Sequence, residues 1–133
     1  MLPITLSLPL SVRVSEKKKF ILNLNQYRNT HFRVLAKAKE NYEALVASIL
    51  LPYVGIEIKE PVVFTYILWY KSKQDLDISN ILCIVDKFVS DAIVKADILV
   101  DDNYHVIREI KYMYGGVDTA NPRADLVISS WPG

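Results

Sequence analysis

The sequence predicts an α+β domain, a mixed β-sheet with two main helices, formed by residues 1–133 as one unit. Three observations carry that expectation. Apolar residues recur at three- and four-residue spacing in two stretches, His31–Leu51 and Ile81–Ala96, as on helices with one buried face. Between them Pro61–Tyr70 is almost continuously apolar, as in a strand covered on both sides. The segments run strand, strand, helix, strand, helix, strand, strand, which suits helices laid on a sheet better than a sandwich. With 133 residues, 51% of them hydrophobic and 23% charged, the chain can bury one sizeable core.

Ile4–Val14 is rich in β-branched residues and reads as the first strand. Lys17, Lys18 and Lys19 follow, as a solvated turn or a phosphate contact. Phe20–Tyr27 begins as a strand and turns polar. Together with Arg28 and Asn29 it offers groups that contact DNA and that equally make turns. In the first helix Leu35, Ala38, Tyr42, Leu45, Val46 and Ile49 form the apolar face. Thr30 is the expected N-cap, and Pro52 and Gly55 end the helix. Lys71 and Lys73 mark the exit of the central strand. In the second helix Ile81, Ile84, Val85, Phe88, Val89, Ala92, Ile93 and Ala96 form the apolar stripe, while Asn80, Lys87 and Asp91 share another face. Val106–Tyr114 and Leu126–Ser130 are the last strands, joined through Gly115-Gly116 and Pro122. If both helices lie on one face of the sheet, the central strand needs a second cover, and a homodimer supplies it.

A formal net charge of +1 gives no bulk field for a polyanion, so a nucleic-acid partner requires local segregation of charge. The single cysteine, Cys83, excludes an intrachain disulfide and fits a reducing compartment as a packing residue. The apolar N-terminus lacks a basic start and carries Pro3 and Pro9, so it reads as a strand rather than a signal peptide. No uncharged apolar run reaches the roughly 18 residues of a membrane span. A soluble, cytoplasmic protein is expected.

The chemistry concentrates between Lys71 and Asp102. Asp75 and Asp77 alternate along an extended chain, so both side chains point the same way. Their bland reading is a surface loop residue followed by a helix cap. Asp101 and Asp102 come after the second helix, which can return the chain toward the first pair. Carboxylates about 4 Å apart repel by about 4 kcal/mol at an effective dielectric near 20, so converging acids call for protonation or a cation. Oxygen-only ligands favour Mg²⁺ or Mn²⁺, and the chemistry that follows is phosphodiester hydrolysis. Lys87 offers an amine to a phosphate oxygen, or else pairs with Asp91 four residues on. His31 and His105 read as structural or surface residues.

These residues together resemble a known family. Asp-Leu-Asp at 75–77, then Lys87-x-x-x-Asp91-Ala-Ile, then Asp101-Asp102 ten residues after Asp91, is similar to the RusA-type Holliday-junction resolvases, small dimeric Mg²⁺- or Mn²⁺-dependent endodeoxyribonucleases of bacteria and phages. The similarity is clearest over residues 70–116 and weaker around 25–31 and at the Gly-Gly pair, expected as a hairpin. It implies that Asp75, Asp77 and Asp102 match the essential acids, that Asp101 adjoins them as a metal ligand, and that Lys87 matches the catalytic lysine. Lys111 matches a lysine on the following strand, and Asn80 and Asp91 are supporting residues. The implied substrate is branched double-stranded DNA, a four-way junction, with Lys17, Lys18, Lys19, Arg28, Arg33, Lys71 and Lys73 as contacts. Relative to the family pattern, about six extra residues separate Asp77 from Lys87. Four of them make roughly one helical turn, which predicts a longer N-terminal end to the second helix. Asp97 stands where the family has glycine after that helix. Two other functions compete: a non-catalytic DNA-binding protein of the same fold, and a protein-interaction module whose acids are surface and caps.

Overall fold

The apolar run 61–70 becomes β4 (Val62–Tyr70), the inner strand on which the domain is built, in a computed structural model that describes all residues from Met1 to Gly133. Its neighbours are β6 (Arg123–Ser130), antiparallel, and β5 (Ile107–Val117), parallel; β1 (Ile4–Leu8) pairs with β6 and gives the order β1-β6-β4-β5. The architecture is α+β with a mixed sheet, as predicted, but it has three helices rather than two.

The expected strand Ile4–Val14 is two strands. Pro9 has no amide hydrogen to give a ladder. The chain breaks there and enters a separate two-stranded ribbon of β2 (Ser11–Arg13) and β3 (Lys19–Ile21), with Lys17 and Lys18 in its turn. The polar continuation of Phe20–Tyr27 is not strand. Asn23 accepts a 2.7 Å hydrogen bond from the Gln26 amide and so caps the short helix α1 (Leu24–Asn29). Helix α2 (Phe32–Ile49) starts at His31, whose Nδ1 accepts from the Arg33 amide. Thr30, the expected cap, instead donates its hydroxyl back to the Gln26 carbonyl of α1. Helix α3 (Ile78–Lys95) runs unbroken from Asp77, three residues earlier than the apolar pattern begins.

Alternation settles which face of the sheet is covered. Leu6, Leu8, Phe64, Tyr66, Leu68 and Leu126 point into one core with Tyr42 and Val46 of α2 and Val85, Phe88 and Val89 of α3, all under 3% exposed. Phe88 stacks on Phe20 with ring centroids 5.8 Å apart and meets Tyr42 edge-on. Each such side chain contributes about 1.5–3 kcal/mol by leaving water. Thr65, Ile67 and Trp69 face the other way and stay half-buried. That second face is partly closed by side chains of its own. Trp69 Nε1 donates to Asp125, and the Arg123 guanidinium lies 5.3 Å above the indole while pairing with Asp118 and Asp125. The expected demand for a second subunit on this face is therefore weakened.

Gly115 and Gly116 do not form a hairpin. They lie inside β5, and β5 and β6 are not neighbours, since both flank β4. A Cβ at Gly115 would stand 2.7 Å from Trp69 Cε2, so glycine there makes room for the indole.

Candidate active-site groove beside α3

β4, α3 and β5 form one parallel crossover, and its geometry decides where the acids lie. A helix crossing back between parallel strands starts over the end of the first and finishes near the beginning of the second. Val62 sits beside Ile107 and Tyr70 beside Val117. Asp75 and Asp77 thus follow the far end of β4, whereas Asp101 and Asp102 precede the near end of β5. The fourteen residues from Asp77 to Asp91 amount to about 21 Å along the axis. The helix carries the chain away from the first acid pair and does not return it. The two pairs are not brought together within one protomer, and no three His, Cys, Asp or Glu side chains gather to hold one metal ion. A single ion shared by Asp77 and Asp102 does not fit one copy of the chain.

Each acid of the expected set has a local role. Asp77 Oδ1 accepts from the backbone amide and the hydroxyl of Ser79, at 3.1 and 2.7 Å, and so caps α3. Asp75 is exposed and lines a cavity of about 560 Å³ with Lys73, Leu76, Ile78 and Tyr114. Asp101 accepts from the Asp102 amide and from Asn103 Nδ2, which ties the loop. Asn80 shares the Lys87 face but stands about 10 Å nearer the helix start. Lys111 lies on the sheet face away from α3, between Ile110 and Tyr112, which register with Phe64 and Tyr66.

What the fold does assemble is a groove of about 290 Å³ lined by Lys39, Asp86, Lys87, Ser90, Asp91 and Asp102. Asp91 pairs with Lys39 of α2, so the anticipated Lys87–Asp91 pair is not formed. That bond holds the Lys39 amine above its usual range. Lys87 has no ion pair and stands 5.8 Å over the Tyr27 ring. Asp102 is held above the ordinary carboxylate range by partial desolvation first, then by Asp101 and Asp91. Asp86 is likewise raised by burial, although Tyr66 and Ser90 donate hydrogen bonds that favour its ionised form. Tyr112, edge-on to Tyr66, has its phenol pushed up to about 12, by burial first and the Asp86 charge second. The groove combines three carboxylates, one of them paired with Lys39, with the Ser90 hydroxyl and the unpaired amine of Lys87.

Sequence reasoning missed Lys39, Asp86 and Ser90. The signal for Asp86 was a carboxylate on the buried stripe, four residues after Leu82 and four before Ser90. The expected basic contacts Lys17, Lys18, Lys19, Arg28, Arg33, Lys71 and Lys73 are all exposed, on the ribbon, on α1, at the start of α2 and after β4. No known family model matches this sequence, and no curated protein does.

Proposed function

We propose that the protein is a Mg²⁺- or Mn²⁺-dependent endodeoxyribonuclease of the RusA-resolvase type, cutting branched DNA as a homodimer. The observation that carries this reading is the free edge of β5. It is a strand of 11 residues, unpaired on one side, with Ile110, Met113, Tyr114 and Val117 each over 40% exposed. Such an edge invites pairing with another strand. Antiparallel pairing of two β5 strands about a two-fold axis near Tyr112 sets Tyr114 of one copy opposite Ile110 of the other. Asp75 lies beside Tyr114, and Asp102 shares its groove with Ile110. The acid pairs that one copy keeps apart at opposite ends of the crossover then face each other across the two copies. A hard divalent ion held by Asp75 and Asp77 of one copy and Asp102 of the other, with Asp101 adjoining, would neutralise charge on the scissile phosphate. Lys87 meets a phosphate oxygen, Lys39 is fixed by Asp91, and the exposed basic residues carry the DNA arms.

Mixed dimers test this. Asp77→Asn and Asp102→Asn should each abolish nicking of a labelled four-way junction while preserving binding. Dimers carrying one copy of each variant regain one intact shared site and nick again. A site built within a single copy predicts no recovery. A wild-type protein that cuts no junction in either Mg²⁺ or Mn²⁺ removes the nuclease reading.

A second reading, DNA binding without cleavage, is favoured by one observation: Asp77 and Asp101 are already engaged in capping and loop bonds. Junction binding without nicking selects it.

A further inference from the structure

On the other side of Lys39 and Lys87 from the acidic groove lies a cavity of about 200 Å³. Its walls are Tyr27 of α1, Phe32 and Leu35 of α2, and Phe88 of α3; no carboxylate lines it. Lys39 and Lys87 belong to both spaces, so the two adjoin. Phe32 is the unusual member. It is 70% exposed at the first turn of α2. The His31 imidazole stacks on it at 4.6 Å and the Arg33 guanidinium stands 5.8 Å from its centre. On the facing side the Lys87 amine stands over Tyr27.

We propose that this cavity receives one unstacked nucleobase of a DNA strand, stacked on Phe32, with the adjoining phosphate on Lys87. Apolar aromatic walls accept the flat π-face of any base, which makes such a site tolerant of sequence. Lys39 and Lys87 line the cavity and Arg33 stands beside Phe32, a cationic rim that complements a phosphate and disfavours a basic peptide. The contact at Lys87 then leads the strand from the base cavity directly into the groove with Asp86, Asp91 and Asp102. This inference rests on the nucleic-acid part of the function proposed above and adds the state of the substrate: a base out of its stack beside the groove.

The test compares a single-stranded oligonucleotide with the same strand carrying abasic sites, so that the phosphate charge is constant. Binding is read by fluorescence anisotropy at several salt concentrations. The wild-type protein should prefer the base-bearing strand by about ten-fold. Phe32→Ala, a change at an exposed position, should erase that preference without altering the salt slope, and Phe32→Tyr should keep it. Lys87→Gln should lower the salt slope by about one and leave the preference intact. Equal binding of both strands by the wild-type protein, or a preference that persists in Phe32→Ala, overturns the base site even if junctions are cut. A preference without junction cleavage keeps the base site and removes the nuclease. Absence of DNA binding removes both.

Discussion

The Tyr66 hydroxyl donates a 2.7 Å hydrogen bond to Oδ1 of Asp86, and Ser90 donates to the same oxygen at 3.0 Å. The contact ties the inner strand to α3 at the floor of the groove. It places a carboxylate where the helix otherwise presents apolar residues, with Tyr66 itself fully buried. Burial also holds the Tyr66 phenol well above its usual range, with the Asp86 charge adding to it, so this hydroxyl stays a donor.

The raised carboxyl of Asp86 makes a pH-dependent contribution to stability. Its folded value lies above the ordinary 3.8, so folding favours the protonated form. That contribution is fully present below 3.8 and is lost as pH rises through the folded value. Asp86→Asn keeps an oxygen for Tyr66 and Ser90 and cannot ionise. Its stability should therefore gain on the wild type as pH rises from 3.8 through the folded value, with the gap levelling off above that. Urea melts of both proteins across that range measure it, and a gap that narrows with rising pH contradicts the assignment.

Tyr66→Phe probes the other partner. It leaves Asp86 with Ser90 alone in a partly dry site, and losing a bond to such a group costs about 1–3 kcal/mol. In an Asp86→Asn background the loss should be smaller, because no charge remains to be solvated. A double-mutant cycle by chemical denaturation reports the difference, and additive effects would show that the two side chains are not coupled.

The sheet was legible because Pro61–Tyr70 has no polar side to show to water, and α2 and α3 because their apolar spacing is regular. Locally determined features were harder to read. The single residue Asn23 converts a polar stretch into α1 by capping it, and Pro9 divides one apparent strand between two sheets. The meeting of Asp75 and Asp77 with Asp102 is a different kind of question. Residue spacing gives the length of a helix but not the direction in which the next strand runs. Here β5 lies parallel to β4, and that alone puts the acid pairs at opposite ends. Asp86 was hidden because its partner Tyr66 is twenty residues away on another element.

Asp77 has a structural duty that can be separated from any chemistry. As the N-cap of α3 it accepts from Ser79. Asp77→Ala should cost about 0.5–2 kcal/mol in thermal or urea unfolding. Asp77→Asn, an equally good cap, should be close to wild type. A loss of nicking in Asp77→Asn at unchanged stability then belongs to the carboxylate charge, and a loss that tracks stability belongs to the cap.

Asp97 occupies the position just after the C-cap of α3 with φ of 62°, the left-handed region that glycine enters without cost. The end of the helix keeps its tight closure all the same. The Asp97 amide bonds to the Val94 carbonyl at 3.0 Å and the Ile98 amide reaches back to Ile93 at 3.3 Å, while Ile98 packs into the core. The cap geometry is in place, at a local conformational cost to a residue that has a Cβ. The negative charge of Asp97 adds to that cost, because it stands at the negative end of the helix dipole. Asp97→Gly should therefore stabilise the protein by about 1 kcal/mol, with Asp97→Asn in between and Asp97→Ala below the glycine variant. The order Gly, Asn, Asp in midpoint denaturant concentration checks it. A glycine variant less stable than the wild type would mean that the aspartate makes a compensating contact and that the left-handed cap is not what limits α3.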